Sequence, residues 1–129
     1  MGQYIPLNDL EIYQLARKLS EKGWGIYNKL DWHLKKIIGD QFIQSIDSVG
    51  ANIAEGYGRF HYLEKIKFCY NSRASLAESC HHWLELMFSR GIIEKNEYQD
   101  LKDIAQNLAV KLNNYIAGLY KAKSRELSR

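Results

Sequence analysis

The sequence has little proline, little cysteine and no long apolar run. Pro6 is the only proline among 129 residues, so no proline interrupts a helix in the rest of the sequence. No run of eighteen apolar residues occurs, which argues against a membrane-spanning helix. The first residues lack the basic and apolar regions of a secretory signal. We therefore expect a cytoplasmic protein that folds as a single domain over residues 1–129.

Cysteine is equally scarce, with Cys69 and Cys80 as the only two. The two residues fall on one predicted helix, about 16 Å apart along its axis. A disulfide needs Cα atoms within about 7 Å, so the two cannot bridge each other within a chain. Both are interpreted as small buried hydrophobic residues in a reducing compartment.

Sequence motifs for cofactor, metal and nucleophile chemistry are missing. There is no Walker loop, no dinucleotide fingerprint and no Gly-x-Ser-x-Gly elbow. Adjacent His81 and His82 point about 100° apart on a helix and cannot face one ion, and His33 and His61 have no zinc-ligand spacing with them. We predict no catalytic residue, no metal, no cofactor and no small-molecule substrate.

Apolar residues at helical spacing fill four long segments. They predict helices at about residues 9–30, 40–58, 62–90 and 94–120, with Asn8 and Asp40 as N-caps and Glu11 completing a capping box at the first. No segment alternates with period two, as a strand would. Four amphipathic helices with short joints predict an all-α fold, an antiparallel up-down four-helix bundle, followed by a basic tail at 121–129.

The positive charge of the chain is concentrated in that tail. Residues 121–129 hold four basic side chains against one acidic, which accounts for the whole net charge of +3 and leaves the rest neutral. Further basic residues cluster near the joint between the second and third helices. Candidate contacts to nucleic acid or a partner are therefore Arg59, His61, Lys65, Lys67, Lys121, Lys123 and Arg125.

The most informative stretch, residues 48–59, carries Asn, Glu and three Gly inside a helical apolar pattern. Its polar residues recur every three or four positions and so form one stripe beside the apolar line. Arg73 falls on the apolar face of the third helix, and a buried guanidinium needs a partner. Glu55 is favoured over Asp47 and Glu78. We interpret the set as a structural polar network: Ser48, Asn52, Glu55, Arg73 and Glu78. A catalytic site of Glu55, Asn52 and Arg73 is the less favoured alternative.

The run from Asp47 to Arg59, with its Asn-Ile-Ala-Glu-Gly core, resembles the bacterial four-helix-bundle proteins encoded within intervening sequences of 23S ribosomal RNA genes. The later segments Arg73-Ala74-Ser75-Leu76-Ala77-Glu78 and His82-Trp83-Leu84 agree with it. The resemblance implies a homo-oligomer, a pentamer in known members. A related branch, the accessory protein of diversity-generating retroelements, binds nucleic acid through a basic barrel, whereas the body of this chain is neutral.

These observations favour a non-enzymatic, self-associating bundle that binds RNA, DNA or a nucleoprotein partner. The alternative is a purely structural or protein-interaction bundle with no nucleic-acid role, which the neutral body favours. Trp24, Trp83 and the tyrosines are interpreted as core and interface residues rather than base-stacking platforms.

Overall fold

The computed structural model describes residues 4–127, and its regular structure is helical throughout. Four long helices follow one another: α1 (Glu11–Lys29), α2 (Asp40–Tyr57), α3 (Tyr62–Leu76, continued by π-helical Ala77–Trp83 and by Leu84–Ser89) and α4 (Lys95–Leu127). A short 3-10 turn, Leu7–Asp9, precedes α1. A connector of Trp32–Leu34 and π-helical Lys35–Gly39 leads directly into α2. The prediction of an all-α four-helix bundle is confirmed.

Contacts between neighbouring helices give their relative directions. Glu11 near the start of α1 pairs with Lys111 late in α4, whereas Lys29 at the end of α1 pairs with Glu97 near the start of α4. The Ser72 hydroxyl of α3 donates to the Val49 carbonyl of α2 at 2.8 Å, and Gly56 faces Lys65 and Phe68. Both helix pairs therefore run antiparallel.

One hydrophobic core lies along the axis of the bundle. The apolar residues that recur at helical spacing in α1 and α4 face this core, as predicted. The largest fully buried side chains are Leu19, Ile38, Phe42, Ile46, Leu76, Leu84, Met87, Leu101, Leu108 and Leu112. Each such side chain contributes roughly 1.5–3 kcal/mol when removed from water. Cys69 and Cys80 are free and buried, and burial raises the pKa of both thiols to about 11.

Three predicted features at helix ends are wrong. Asn8 lies in the 3-10 turn, and Leu10 occupies the N-cap position of α1 without a side-chain cap. Asp40 caps nothing because the π-helical connector continues into α2; its carboxylate accepts from the Tyr27 hydroxyl at 2.6 Å instead. The tail predicted from residue 121 is helical to Leu127, because α4 continues without a break.

The buried line of α3 passes through Cys69, Ser72, Leu76 and Cys80, at spacings of three, four and four. Tyr70, Arg73 and Ala77 each lie one position further round the helix and are exposed. The prediction that Arg73 is buried is therefore wrong. Its physical reason is that two adjacent stripes carry apolar residues, and the stripe containing Tyr70 and Ala77 lies at the margin of the core.

Candidate functional site: the joint end of the bundle

The joint between α2 and α3, residues 58–61, and the last turns of α4 lie together at one end of the molecule, which we call the joint end. Gly56 allows the two helices to approach there. A Cβ at this position would lie 2.8 Å from the Phe68 Cβ and 3.2 Å from the Lys65 carbonyl oxygen. Gly56 belongs to the stretch 48–59, which we call the hallmark stretch. This glycine therefore serves close helix packing, and it sets the position of the joint.

Arg59 holds the joint through three contacts. Its guanidinium forms ion pairs with Glu55 at 2.9 Å and with Glu64 at 3.6 Å, and it lies over the Phe68 ring, 4.9 Å from the centroid. All these groups are partly exposed, so each ion pair is worth about 1 kcal/mol or less. The charge of Arg59 is matched by two carboxylates, which weakens its attraction for a phosphate.

Lys65 also serves the joint. Its ammonium donates to the Tyr57 carbonyl oxygen at 3.2 Å and lies 5.7 Å from the centroid of the Tyr57 ring. A lysine at this place satisfies a carbonyl at the C-terminal end of α2. Lys65 is half-buried, so its first task is structural.

The end of α4 meets the joint in a shallow groove of about 230 Å³, lined by His61, Tyr62, Leu63, Lys123, Glu126 and Leu127. The structure thus brings together two of the predicted contacts, His61 and Lys123, which are 62 positions apart in the sequence. Phe60 stands beside the groove with 87% of its surface exposed and its ring edge-on to His61.

The remaining predicted contacts lie outside the groove. Lys67 is exposed on α3, and Lys121 and Arg125 are exposed on α4. The joint end therefore combines exposed basic groups on two helices with exposed apolar side chains, Phe60, Leu63 and Leu127.

The five residues of the predicted polar network do not join one another through their side chains in this chain. Ser48 and Asn52 donate to backbone carbonyls of Gln44 and Ser48 within α2. Arg73 bonds Asn113 on α4 at 3.0 Å and lies over the Tyr70 ring. The pairing of Arg73 with Glu55 is therefore wrong, since Glu55 bonds Arg59.

Glu78, the fifth member, accepts from the Trp83 indole at 2.9 Å. Polar contact between α2 and α3 is made instead by Ser72, whose hydroxyl bonds the Val49 carbonyl in the core, and by Lys65 at the joint. The alternative catalytic set of Glu55, Asn52 and Arg73 is likewise not assembled within one chain. Arg73 bonds α4, whereas Glu55 bonds the joint.

Between α3 and α4 the structure assembles a polar cluster that sequence reasoning missed. The Lys102 ammonium contacts the Cys80 carbonyl at 3.2 Å, the His81 Nδ1 at 3.2 Å and the Glu85 carboxylate at 2.8 Å. Glu85 also accepts from the Tyr98 hydroxyl at 2.6 Å. Hydrogen bonds from Lys102 and Tyr98 lower the pKa of Glu85.

The cluster lies beside the π-helical turns of α3, in which backbone hydrogen bonds span five residues instead of four, and such turns occur frequently at functional sites. A surface groove of about 440 Å³ runs beside it, lined by His81, Tyr98, Gln99, Lys102, Gln106 and Ala109. Sequence periodicity places His81 and Lys102 only as surface residues of two helices, so it carries no signal that they meet.

The hallmark stretch lines a further groove of about 380 Å³ between α1 and α2. Its floor is formed by small residues, Gly50, Ala51 and Ala54, and Tyr13 and Trp24 lie along its walls. A Cβ on Gly50 would lie 3.5 Å from that of Ala16, in ordinary contact. This part of the hallmark therefore leaves a recess on the surface, whereas Gly56 serves packing inside the chain.

Within residues 4–127 no helix is long and apolar enough to cross a membrane. Among the same residues no three His, Cys, Asp or Glu side chains lie close enough to hold a metal ion.

Comparisons with known proteins agree with this architecture. The model of the family described as 23S rRNA-intervening sequence protein matches residues 8–114. A crystal structure of a protein of unknown function from the S23 ribosomal protein family of Bacteroides thetaiotaomicron is similar, with a TM-score of 0.76 and 19% identity over 83% of this chain and 96% of that chain. At this identity the likeness concerns the fold alone. None of the curated proteins matches the sequence.

Proposed function

Because the chain belongs to the 23S rRNA-intervening sequence protein family, we propose that it is a non-enzymatic, self-associating bundle that binds nucleic acid at its joint end. One observation carries this proposal. Two distant segments, the α2–α3 joint and the end of α4, meet in one groove that contains His61, Lys123 and Glu126. Exposed lysines on the two adjoining helices, Lys67 on α3 and Lys121 on α4, add positive charge to this end, and basic residues gathered at one end are the electrostatic footprint of a phosphate-binding surface.

Charge supports the same assignment. Lys67, Lys121 and Lys123 form no ion pair within the described part of the chain. An unpaired lysine at the surface gives up little when it contacts a phosphate, and each phosphate neutralised releases condensed counterions. One copy carries few such cations, so tight binding requires several copies acting together.

Self-association is supported by the α1–α2 groove. Its small residues, Gly50, Ala51 and Ala54, allow close approach of another helix, and its other lining side chains combine two aromatic rings with charged groups, as interfaces commonly do: Tyr13, Trp24, Arg17, Glu21 and Asp47. The family resemblance implies a pentamer. Native mass spectrometry of the purified protein counts the subunits, and a monomer at micromolar concentration would contradict this part of the proposal.

Binding is tested by fluorescence anisotropy of a labelled single-stranded RNA at low salt. The variant Lys121→Glu/Lys123→Glu should weaken binding at least tenfold and flatten its salt dependence, because phosphate contacts are lost. The matched control is Lys18→Glu/Lys22→Glu on α1, which makes the same change of charge away from the joint end. Equal effects of the two variants would indicate attraction to net charge alone and would contradict a local site.

A second candidate function is a protein-interaction bundle without a nucleic-acid role. The observation that favours it is the apolar surface at the joint end, where Phe60, Leu63 and Leu127 are exposed around the groove. Absence of binding to RNA and to DNA at low salt, together with loss of a co-purifying protein on Phe60→Ala/Leu63→Ala, would favour this function over the first.

A further inference from the structure

The opposite end of the bundle, which we call the connector end, carries aromatic rings and lysines in alternation. Trp24 and Tyr27 of α1 stack with ring centroids 5.5 Å apart and planes 21° apart. The Lys35 ammonium lies 5.0 Å from the centroid of Tyr27. The next residue, Lys36, lies 5.6 Å from the centroid of Trp32. We call these five residues the aromatic–lysine ladder.

Local structure fixes the ladder in place. Asp31 caps the connector by accepting the Leu34 amide at 2.8 Å, which sets the turn that carries Trp32. The Tyr27 hydroxyl donates to Asp40 at 2.6 Å, and this bond is the main cause that raises the pKa of Tyr27. The bond to Asp40 thereby fixes the Tyr27 ring, which stacks with Trp24 and lies beneath the Lys35 ammonium.

Exposure distinguishes the ladder from the core. Trp32 has 73% of its surface exposed and Trp24 has 51%, so Trp24 lies outside the core of this chain, and its interpretation as an interface residue stays a prediction. Ile37 is also exposed. Lys35 and Lys36 form no ion pair within residues 4–127. The Trp32 indole and the Lys36 ammonium are therefore open to a ligand, and the half-buried Lys35 adds a second ammonium without a carboxylate partner.

We propose that the aromatic–lysine ladder is a second nucleic-acid site, at which an unpaired base stacks on Trp32 while Lys35 and Lys36 contact the phosphates. The inference deepens the nucleic-acid-binding part of the proposed function and rests on that part. Aromatic side chains interleaved with cations are the common means of binding single strands without sequence preference, because every base offers a flat π-face. A duplex keeps its bases stacked on each other and cannot use the indole in this way.

The chemistry fits a single strand better than a membrane surface. An interfacial helix needs a continuous apolar face, whereas Trp32 is flanked on its own short turn by His33 and Lys36. The Lys36 ammonium lies over one face of the indole, which places a positive charge beside the surface where a base would stack.

The experiment measures binding of a labelled twelve-residue oligouridylate and of vesicles containing half phosphatidylglycerol to the full chain at low salt. Trp32→Ala should weaken RNA binding about tenfold or more, since base stacking on one aromatic ring is worth that much. Trp32→Phe should restore most of the affinity. Lys36→Gln should reduce the dependence of log K on log salt by about 0.7, the share of one phosphate in a single strand. Val110→Ala, a change of another exposed apolar side chain on α4, should leave binding unchanged.

The outcomes separate this inference from the proposed function. If Trp32→Ala binds RNA as tightly as the unaltered chain while Lys121→Glu/Lys123→Glu does not, the ladder is overturned and the joint-end site stands. If only the Trp32 variant weakens binding, the ladder stands and the joint-end site falls. Binding to vesicles but not to RNA would make the ladder a membrane-surface site and overturn the inference. Failure of the unaltered chain to bind RNA at low salt would overturn both.

Discussion

The basic residues at the α2–α3 joint and those of the connector differ in their partners within the chain. At the joint end, Arg59 is paired with Glu55 and Glu64, and Lys65 holds the end of α2. At the connector end, Lys35 and Lys36 lie over aromatic rings and pair with no carboxylate among the described residues. A basic residue near a functional surface is therefore not evidence of a contact until its partners within the chain are known.

The largest expected difference between the two ends is the loss of stability when a buried glycine at a helix contact is replaced. Gly56→Val should destabilise the fold by about 2–3 kcal/mol, because even its Cβ would lie 2.8 Å from the Cβ of Phe68, close to backbone that cannot turn aside. At the connector end, a Cβ on Gly39 meets the Leu30 Cδ1 at 2.8 Å. That atom ends a flexible side chain and two Tyr27 ring atoms lie 3.3 Å away, whereas Gly56 also faces backbone, so Gly39→Val should cost less, about 1–2 kcal/mol.

Urea denaturation of Gly56→Val and Gly39→Val measures the difference between their free energies of unfolding directly. Gly25→Val is the matched control, since nothing lies within 4 Å of its Cβ position, and its stability should stay within about 0.5 kcal/mol. Equal losses for Gly56→Val and Gly39→Val would show that the α2–α3 contact is no tighter than the connector.

Lysine replacement is expected to have a smaller effect on the same comparison. Lys65→Met should cost about 1 kcal/mol, because the Tyr57 carbonyl at the end of α2 loses its donor. Lys36→Met should change the free energy of unfolding by less than about 0.5 kcal/mol, since Lys36 is exposed on a short turn. Thermal unfolding of both variants measures the effect. A loss at Lys36 as large as that at Lys65 would mean that the ladder is structural.

Acid should weaken the α3–α4 cluster through Glu85. The pKa of Glu85 is lowered in the fold by hydrogen bonds from Lys102 and Tyr98. A lowered pKa stabilises the fold above the ordinary Glu value of about 4.3, and this stabilisation is lost as the pH falls through the folded value. Glu85 is partly exposed, so the gain is less than about 1 kcal/mol.

Glu85→Gln should therefore be less stable than the unaltered chain at pH 7, and the difference should shrink as the pH falls below the ordinary Glu pKa of about 4.3 and through the lowered pKa of Glu85. Urea unfolding at pH 7, 5 and 3.5 measures it. Glu126→Gln, an exposed change at the joint end, should show no such difference at any of these values. A constant gap for Glu85→Gln across the series would show that its role is steric and not electrostatic.

Most of the fold could be predicted from the sequence, because the apolar residues that recur at helical spacing are the ones that the core buries. Leu101, Leu108 and Leu112 are fully buried as their spacing required. Arg73 was misplaced because its helix carries apolar residues on two adjacent stripes, and spacing alone does not show which stripe faces the core. The π-helical segments have no sequence signature, so the meeting of Lys102 with the Cys80 carbonyl was not predictable.

The candidate site was predicted in part. The basic residues of the joint and of the end of α4 were both noted, and the structure adds that His61 and Lys123 share a groove. The neutralisation of Arg59 by Glu64 depends on the bend of the joint, which the sequence does not define. The aromatic–lysine ladder was missed because its members come from α1 and from the connector. The sequence does not show that these two segments fold against each other.

Photo-crosslinking of a 4-thiouridine oligonucleotide, followed by mass spectrometry of the attached peptides, tests the central claim that the two ends of the bundle contact nucleic acid. We expect adducts within residues 24–37 and within residues 59–67 or 120–127. Adducts in the first range should disappear in Trp32→Ala while the others remain. Adducts spread evenly along the sides of α1 and α4, or none at low salt, would contradict the account.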